Sequence, residues 1–132
     1  KGAAPIQRSL EQGKDFVGLS IFEITNIVDS GKILNQKSYK ISNRDTYNDI
    51  HDLLSVKAAD FLIKTLPLVK QGKVKTITNL KPSFAPKIKK SEFKISLNNS
   101  SYIIHNKFRA FTTPGAYLYF DNKKVKIFKT NF

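Results

Sequence analysis

Three residue types are missing from this 132-residue sequence, which has no Cys, no Met and no Trp. Without Cys there can be no disulfide and no thiolate metal site, and the composition is compatible with a reducing compartment. The absence of Met leaves the sequence without a translation start, so we expect an internal piece of a longer polypeptide. No signal-peptide pattern opens the chain, and Lys64 and Pro67 interrupt its longest apolar candidate, residues 61–69. The sequence therefore predicts no bilayer-spanning segment.

Acidic residues are scarce in the second half of the chain. Residues 1–73 hold eleven Lys and Arg against eight Asp and Glu, whereas residues 74–132 hold twelve against two. The net charge of +13 is therefore concentrated after residue 73. A basic excess confined to one half favours a polyanionic partner over a general effect on solubility. AT-rich codon usage is an alternative contributor that raises Lys, Asn and Ile together, but it does not explain the missing acids.

The first half of the chain alternates helical and extended patterns, as α/β proteins do. The predicted elements are a helix over residues 3–12, strands over 16–24 and 33–41, and a long helix that follows N-cap candidates at 43–46. Apolar residues recur in the long helix at three- and four-residue steps, which indicates one face against a core. Pro67 is expected to kink or end this helix, and Gly72 to close the segment.

The second half begins with a linker and ends with a hairpin. Residues 74–86 are basic, contain two prolines and show only a short strand-like run, so they are predicted to connect two domains. A helical turn is predicted near 90–94 and a helix over 100–111, with strands 116–120 and 125–129 around a basic tip. The inward residues predicted for the helix are Tyr102, Ile103, Asn106 and Ala110.

Short motifs in a fixed order connect the chain with a known family. The first two are Gly2-Ala3-Ala4-Pro5-Ile6-Gln7-Arg8 and Gly18-Leu19-Ser20-Ile21, followed by Val28-Asp29-Ser30-Gly31-Lys32-Ile33-Leu34 and Asp45-Thr46 before the long helix. The later ones are Phe84-Ala85-Pro86-Lys87-Ile88, Ile104-His105-Asn106, Arg109-Ala110-Phe111, Pro114-Gly115-Ala116 and Val125-Lys126-Ile127. Each motif is weak alone, but the ordered set resembles the methionyl-tRNA formyltransferase family over nearly the whole chain.

The resemblance implies an α/β fold in two parts. Residues 1–73 would form the second half of a Rossmann-like formyltransferase sheet, residues 74–86 the linker, and residues 87–132 the start of an OB-like β-barrel that binds tRNA. The implied enzyme transfers a formyl group from 10-formyltetrahydrofolate to the amino group of methionyl-tRNA in translation initiation. The implied setting is a bacterial cytoplasm, with a mitochondrial matrix as the alternative.

Asp29 is the catalytic candidate that the resemblance implies. In the family an Asn, a His and an Asp surround the transferring carbon, and Asp29 matches that Asp. A carboxylate there can orient an imidazolium and help to remove the proton released as the amine attacks. From the residues alone, an Asp before Ser-Gly is also a standard turn former. The family's Asn, His and folate-binding segment are expected before Lys1, so the chain is predicted to be inactive alone and to need a complementary N-terminal chain if the enzyme is split.

Basic residues of the second half are the candidates for contact with initiator tRNA. The predicted set is Lys87, Lys89, Lys90, Lys94, Lys107, Arg109, Lys123, Lys124, Lys126 and Lys129. Such contacts to phosphate give affinity and salt dependence rather than base specificity. Tyr117, Tyr119 and Phe120 could stack on bases or lie in the core, and Arg109 could instead make a structural hydrogen bond. Neither His51 nor His105 is expected to be catalytic, and the sequence predicts no metal site.

Two other function classes remain open. A related enzyme could formylate an amino sugar or hydrolyse formylfolate, although the opening motif and the basic second half favour tRNA. A non-enzymatic nucleic-acid-binding module could have kept only the basic region.

Overall fold

The computed structural model of the chain describes residues 2–27, 30–74, 76–77 and 83–130. In chain order the elements are α1 (Pro5–Glu11), β1 (Phe16–Phe22), β2 (Ile33–Lys40), α2 (Tyr47–Lys70), a 3-10 helix (Lys90–Phe93), α3 (Ser101–Ala110), β3 (Ala116–Phe120) and β4 (Lys123–Ile127). This is a mixed α/β fold, so the predicted class is confirmed. No helix within the described ranges is long and apolar enough to cross a membrane.

The strands form two separate antiparallel ribbons. β1 pairs with β2 from Phe16 opposite Lys40 to Phe22 opposite Ile33, and β3 pairs with β4 from Ala116 opposite Ile127 to Phe120 opposite Lys123. The second ribbon confirms the predicted hairpin, but its turn is shorter than predicted. Only Asp121 and Asn122 form it, with φ of +47° and +59°. Asp and Asn tolerate this left-handed region, which two-residue hairpin turns require.

The long helix α2 starts at a capping box. The backbone N–H of Thr46 donates to the Asp49 carboxylate at 2.8 Å, and Thr46 Oγ1 accepts from the Asp49 N–H at 3.5 Å. The hydroxyl and N–H of Thr46 lower the pKa of Asp49. Of the two effects predicted for Pro67, ending the helix is excluded, since α2 continues to Lys70, and the kink stays a prediction. Proline removes one helical hydrogen bond, but its carbonyl still accepts from the Gln71 N–H at 3.1 Å and so closes the last turn.

One hydrophobic core joins the residues before the linker to those after it. Its buried members are Leu10, Val17, Ile41, Ile50, Leu54, Ile95, Phe108, Ala110, Phe111 and Ala116. Leu10 on α1 and Phe111 after α3 have no exposed surface at all. Because α1 packs directly against α3, the two ends of the chain bury their apolar surface together. The predicted division into two domains remains a prediction, and their described parts share this core.

The buried face of α3 differs from the predicted one. Asn106 and Ala110 are buried as expected, but Tyr102 and Ile103 are each 49% exposed. His105, Phe108 and Arg109 are buried in their place. The helix is covered on two sides, by α1 and by the loop that precedes α2, so its polar residues also lie inside.

An ion pair fastens α1 to the segment that follows the linker. Arg8 Nη1 donates to Glu92 Oε2 at 2.7 Å and Nη2 donates to Oε1 at 3.0 Å, so the pair is bidentate. Arg8 also donates to the carbonyls of Pro86 at 3.2 Å and Lys87 at 3.3 Å. The hydrogen bonds from Arg8, first, and from the Lys89 N–H lower the pKa of Glu92 to about 2. Planar guanidinium geometry makes such a pair specific as well as attractive.

Removing the charge at position 92 should weaken the fold in a pH-dependent way. We expect Glu92→Gln to lower the free energy of unfolding by about 1–2 kcal/mol at pH 7, because the pair is partly shielded from solvent. The pKa of Glu92 is lowered from 4.5 to about 2 in the folded state, so its contribution to the free energy of unfolding is complete above pH 4.5. Urea denaturation should therefore show the difference from the unsubstituted protein shrinking as the pH falls from 4.5 to 2.

Glu11→Gln is the matched control for this measurement. Glu11 also accepts from Arg8, at 2.8 Å, but its loss leaves the bidentate pair in place. A loss of stability as large as that of Glu92→Gln, or a difference that persists unchanged below pH 2, would contradict the assignment.

Candidate functional site

The catalytic candidate Asp29 lies outside the described residues, but the loop on either side of it is described. The Glu23 N–H donates to the Lys32 carbonyl at 3.0 Å and closes the base of the loop between β1 and β2. Within the loop, the Thr25 and Ser30 hydroxyls are 2.6 Å apart, and Ser30 Oγ donates to the Ile27 carbonyl at 2.8 Å. The turn chemistry predicted around Asp29 is thus present in the residues beside it.

Gly31 is the tightest point of this loop. A Cβ at this position would collide with the carbonyl oxygen of Glu23, so no larger residue fits without moving the backbone. Ile24 and Ile27, in contrast, expose 95% and 72% of their surface. The described part of the loop therefore has a fixed base and two exposed apolar side chains.

The outer face of the β3–β4 hairpin combines aromatic rings with lysines. Tyr117 stands opposite Lys126 and Tyr119 opposite Lys124 across the ribbon. Lys124 Nζ lies 3.9 Å from the centre of the Tyr117 ring, and Lys94 Nζ lies 5.4 Å from that of Tyr119. At these distances each ammonium group makes a cation–π contact with the ring that it lies over. We call Lys94, Tyr117, Tyr119, Lys124 and Lys126 the hairpin face.

The side chains between these residues point the other way. Leu118 and Ile127 pack against the hydrophobic core, whereas Tyr119 is 53% exposed. Alternation along a strand explains the division, since successive side chains lie on opposite faces. The hairpin face can therefore offer positive charge for phosphate and rings for bases.

The other predicted phosphate contacts are spread over the surface. Lys87, Lys89 and Lys90 are exposed around the start of the 3-10 helix, and Lys123 and Lys129 are exposed near the two ends of β4, whereas Lys107 is half-buried on α3. The structure places Lys94, Lys124 and Lys126 beside the two tyrosines of the hairpin face.

Arg109 differs from the other predicted contacts because it is buried. Only 4% of it is exposed, and burial lowers the pKa of its guanidinium. Its Nε donates to Asn106 Oδ1 at 2.9 Å, and its Nη1 donates to the Ser42 carbonyl at 2.9 Å. This placement favours the structural hydrogen bond over contact with a phosphate. Arg109 fastens α3 to the loop that precedes α2.

The two histidines have different surroundings. His51 is exposed on α2, with Nδ1 3.2 Å from Asp52 Oδ1. His105 is buried and lies between the Asn43 carbonyl, 2.8 Å from Nε2, and the Thr130 hydroxyl, 2.9 Å from Nδ1. Within the described ranges no three His, Asp or Glu residues are grouped as metal ligands.

Sequence reasoning missed two cavities. One of about 370 Å³ lies among α1, β1, α2 and residues 83–85. The other, of about 440 Å³, lies among the loop before α2, the second half of α3 and residues 128–130. No single motif indicates either cavity, because each is built from segments that are distant along the chain.

Comparisons with known proteins give one consistent family. The family model described as "Formyl transferase" matches residues 1–66, and that described as "Formyl transferase, C-terminal domain" matches residues 87–132. A curated methionyl-tRNA formyltransferase of Sulfurihydrogenibium sp. is 37% identical over 130 residues, which are 96% of this chain and 42% of the relative. The chain thus spans less than half the length of the curated relatives that it matches.

Solved structures show the same fold at lower identity. A variant of HypX from Aquifex aeolicus has a TM-score of 0.80 at 15% identity, covering 98% of this chain and 24% of that one. WlaRD, a sugar 3N-formyl transferase solved in the presence of dTDP and 5-N-formyl-THF, has a TM-score of 0.77 at 23% identity, covering 97% of this chain and 47% of that one.

Replacing Arg109 should weaken the fold. We expect Arg109→Gln to lower the free energy of unfolding by about 2–4 kcal/mol, because buried carbonyl groups would lose their donor. Lys107→Gln, on the same helix, is the control and should change it by less than about 0.5 kcal/mol. Chemical denaturation measures both. Equal stability of the two variants would contradict the structural role of Arg109.

Proposed function

Because this chain belongs to the formyl transferase family, we propose that it is part of an enzyme that formylates the amino group of methionyl-tRNA. Its curated relatives carry the name methionyl-tRNA formyltransferase at 35–37% identity along nearly the whole chain. This match, which spans both family segments in order, is the observation that carries the proposal. The polypeptide needed for activity is longer, since the chain corresponds to 42% of such a relative.

The formyl donor in this proposal is 10-formyltetrahydrofolate. A folate-derived donor is supported by the family and by the 5-N-formyl-THF present with WlaRD, which has the same fold. In the reaction, the amine nitrogen attacks the formyl carbon, the bond from that carbon to N10 of the folate breaks, and tetrahydrofolate leaves. The attacking amine must lose a proton as the new C–N bond forms.

Asp29 is the residue of this chain that we propose for the chemistry. A carboxylate at position 29 can hold a protonated imidazole in place and help to remove the proton that the amine loses. The fixed base of the loop, at Glu23, Gly31 and Lys32, supports this role because it limits where position 29 can go. Such positioning lowers the cost of reaching the transition state.

A further part of the formyltransferase sheet is expected to cover the apolar surface of α2 and β1. Both elements expose large side chains that a finished α/β core would bury, namely Phe16, Phe22, Val56, Leu62, Ile63, Leu66, Leu68 and Val69. Apolar patches of this extent mark an interface. The covering part would supply the family's Asn, His and folate-binding segment, either from the same polypeptide or from a complementary N-terminal chain.

The hairpin face is our proposed contact for initiator tRNA. Its lysines can neutralise phosphates, and its tyrosines can stack on unpaired bases. The concentration of positive charge after residue 73 supports a polyanionic acceptor over an amino sugar. Arg109 is not part of this surface, because its donors are used inside the fold.

A segment exchange tests the chemistry directly. In the Sulfurihydrogenibium relative, the 130 matching residues would be replaced by this chain, and formyl transfer from 10-formyltetrahydrofolate to methionyl-tRNA would be measured. The exchanged protein should be active, and Asp29→Asn in it should lower kcat about 100-fold or more, as loss of an acid–base group does. Asp52→Asn, an exposed acid on α2, should leave kcat unchanged.

The same protein separates the competing functions. Formylation of a nucleotide-linked amino sugar without formylation of methionyl-tRNA would support the sugar enzyme and overturn our assignment. Full activity of Asp29→Asn would remove that residue from the chemistry. An inactive exchanged protein that still binds tRNA would support the non-enzymatic binding module.

The tRNA surface has its own test. We expect Lys124→Gln with Lys126→Gln to weaken tRNA binding and to make its salt dependence shallower, since each lost phosphate contact lowers the logarithmic slope by about 0.7–0.9. Fluorescence anisotropy at several salt concentrations measures both quantities. The control Lys57→Gln with Lys70→Gln on α2 loses the same charge and should not change the salt dependence of tRNA binding. Identical slopes for the two double variants would contradict the proposed surface.

A further inference from the structure

The second cavity, which we call the junction cavity, has no role in the function proposed so far. It measures about 440 Å³ and lies where the loop before α2, the end of α3 and the segment after β4 meet. His105 ties two of its walls together through Asn43 and Thr130. The Asn43 carbonyl can only accept, so His105 Nε2 carries a proton and donates to it.

The lining of the junction cavity is cationic. Arg44, Arg109 and Lys129 line it together with His105, and no Asp or Glu lies among its described lining residues. Two acids are close in sequence, but their carboxylates face the backbone. Asp45 Oδ2 accepts from the Ser42 N–H at 2.7 Å, and Asp49 Oδ2 accepts from the Thr46 N–H at 2.8 Å.

Two of these cations are available for a ligand. Arg109 uses its guanidinium on Asn106 and Ser42. Arg44 and Lys129, in contrast, are exposed and make no side-chain hydrogen bond or ion pair within the part of the chain that the structure describes. Two cations without anions around a cavity attract a negatively charged group, and a guanidinium matches the geometry of a phosphate.

An unused hydroxyl also lies at the junction cavity. Thr112 lines it, and Thr112 Oγ1 is a buried side-chain oxygen that lacks a hydrogen-bond partner within the described residues. Because Thr112 Oγ1 has almost no surface open to solvent, a ligand can bond to it only if the side chain turns toward the cavity. That bond would remove the cost of an unpaired buried hydroxyl.

Phe128 gives the junction cavity an aromatic edge. It follows β4, lines the cavity and is 80% exposed. An exposed ring beside two free cations matches what a nucleotide presents, because a base stacks on an aromatic side chain while its phosphate meets Arg or Lys.

We propose that the junction cavity binds one nucleotide of a single-stranded RNA, with its phosphate held by Arg44 and Lys129 and its base against Phe128. This rests on the proposed function for the choice of RNA. It adds a second point of contact, separate from the hairpin face, and it places Arg44 and Thr112 in RNA recognition. No bond is made or broken at this site.

Binding of a fluorescein-labelled pentanucleotide RNA to the chain tests the proposal. We expect Arg44→Gln with Lys129→Gln to raise Kd about tenfold, as the loss of charged hydrogen bonds does. The logarithmic salt slope should become shallower by about 0.7, which corresponds to one phosphate of a single strand. The control pair Lys57→Gln with Lys70→Gln should change Kd less than about twofold, since those lysines lie on α2 away from the cavity.

Two further variants test the hydroxyl and the ring. Thr112→Val keeps the shape of the side chain and removes the unpaired hydroxyl, so the midpoint temperature of unfolding should stay the same or rise. The Kd for RNA should increase, because the hydroxyl is lost as a partner for the ligand. Phe128→Leu should raise the Kd for RNA about fivefold or more, because base stacking is lost. Inorganic pyrophosphate should bind equally well to Phe128→Leu and to the unsubstituted chain.

The outcomes separate this inference from the proposed function. No pentanucleotide binding, or a cavity variant that binds like its control, would overturn the inference even if the exchanged enzyme formylates methionyl-tRNA. If Phe128→Leu binds RNA with an unchanged Kd, the cavity is a site for anions and not for a nucleotide, and the inference is overturned. If the cavity variants lose RNA while the exchanged enzyme is inactive on methionyl-tRNA, the cavity assignment stands and the proposed function fails.

Discussion

The contact between α1 and the residues after the linker is the constraint on which the rest of this structure depends. Arg8 makes a bidentate pair with Glu92 and also donates to the Lys87 carbonyl. At the end of the predicted linker, Arg8 donates to the Pro86 carbonyl and the Ala4 N–H donates to the Ala85 carbonyl at 3.3 Å. These bonds set where α1 lies, and α1 then brings Leu10 into the core beside α3. The polar contacts fix the geometry, while the apolar burial supplies most of the stability.

This arrangement connects the two proposed functional surfaces. β1, which leads into the loop of Asp29, contributes Val17 to the core, and the ribbon of the hairpin face reaches the same core through Leu118 and Ile127. Arg109 and His105 add a second connection, from α3 to the loop before α2. The proposed enzyme would hold a tRNA at one place and act on the amino group at another. A shared core is a physical means of keeping such places at a fixed separation.

Local signals explain what could be predicted from the sequence. Thr46 with Asp49 and Ser100 before α3 are side-chain caps that act within one turn, and Asp121-Asn122 suits a hairpin turn by its own backbone preference. These features depend on neighbours in the chain. The predicted helices and strands were accordingly found within a few residues of their predicted bounds, and the ordered motifs led to the family.

The errors arose where distant segments meet. The inward face of α3 could not be predicted because the partner that buries Arg109 is a loop more than sixty residues earlier. The junction cavity was missed for the same reason, since its walls come from three separated segments. Pro67 was also expected to end α2 as one alternative, but the helix continues for one further turn to Lys70. The catalytic assignment of Asp29 came from the family resemblance and remains a proposal.

Native-state hydrogen exchange of a Leu10→Ala variant tests most directly whether α1 unites the parts before and after the linker. Leu10 is fully buried, so its truncation should remove about 3 kcal/mol. A shared core predicts that amides of α2 and of α3 lose protection together and by the same free energy. Loss of protection confined to residues 2–74, with α3 and the β3–β4 hairpin unchanged, would contradict the account.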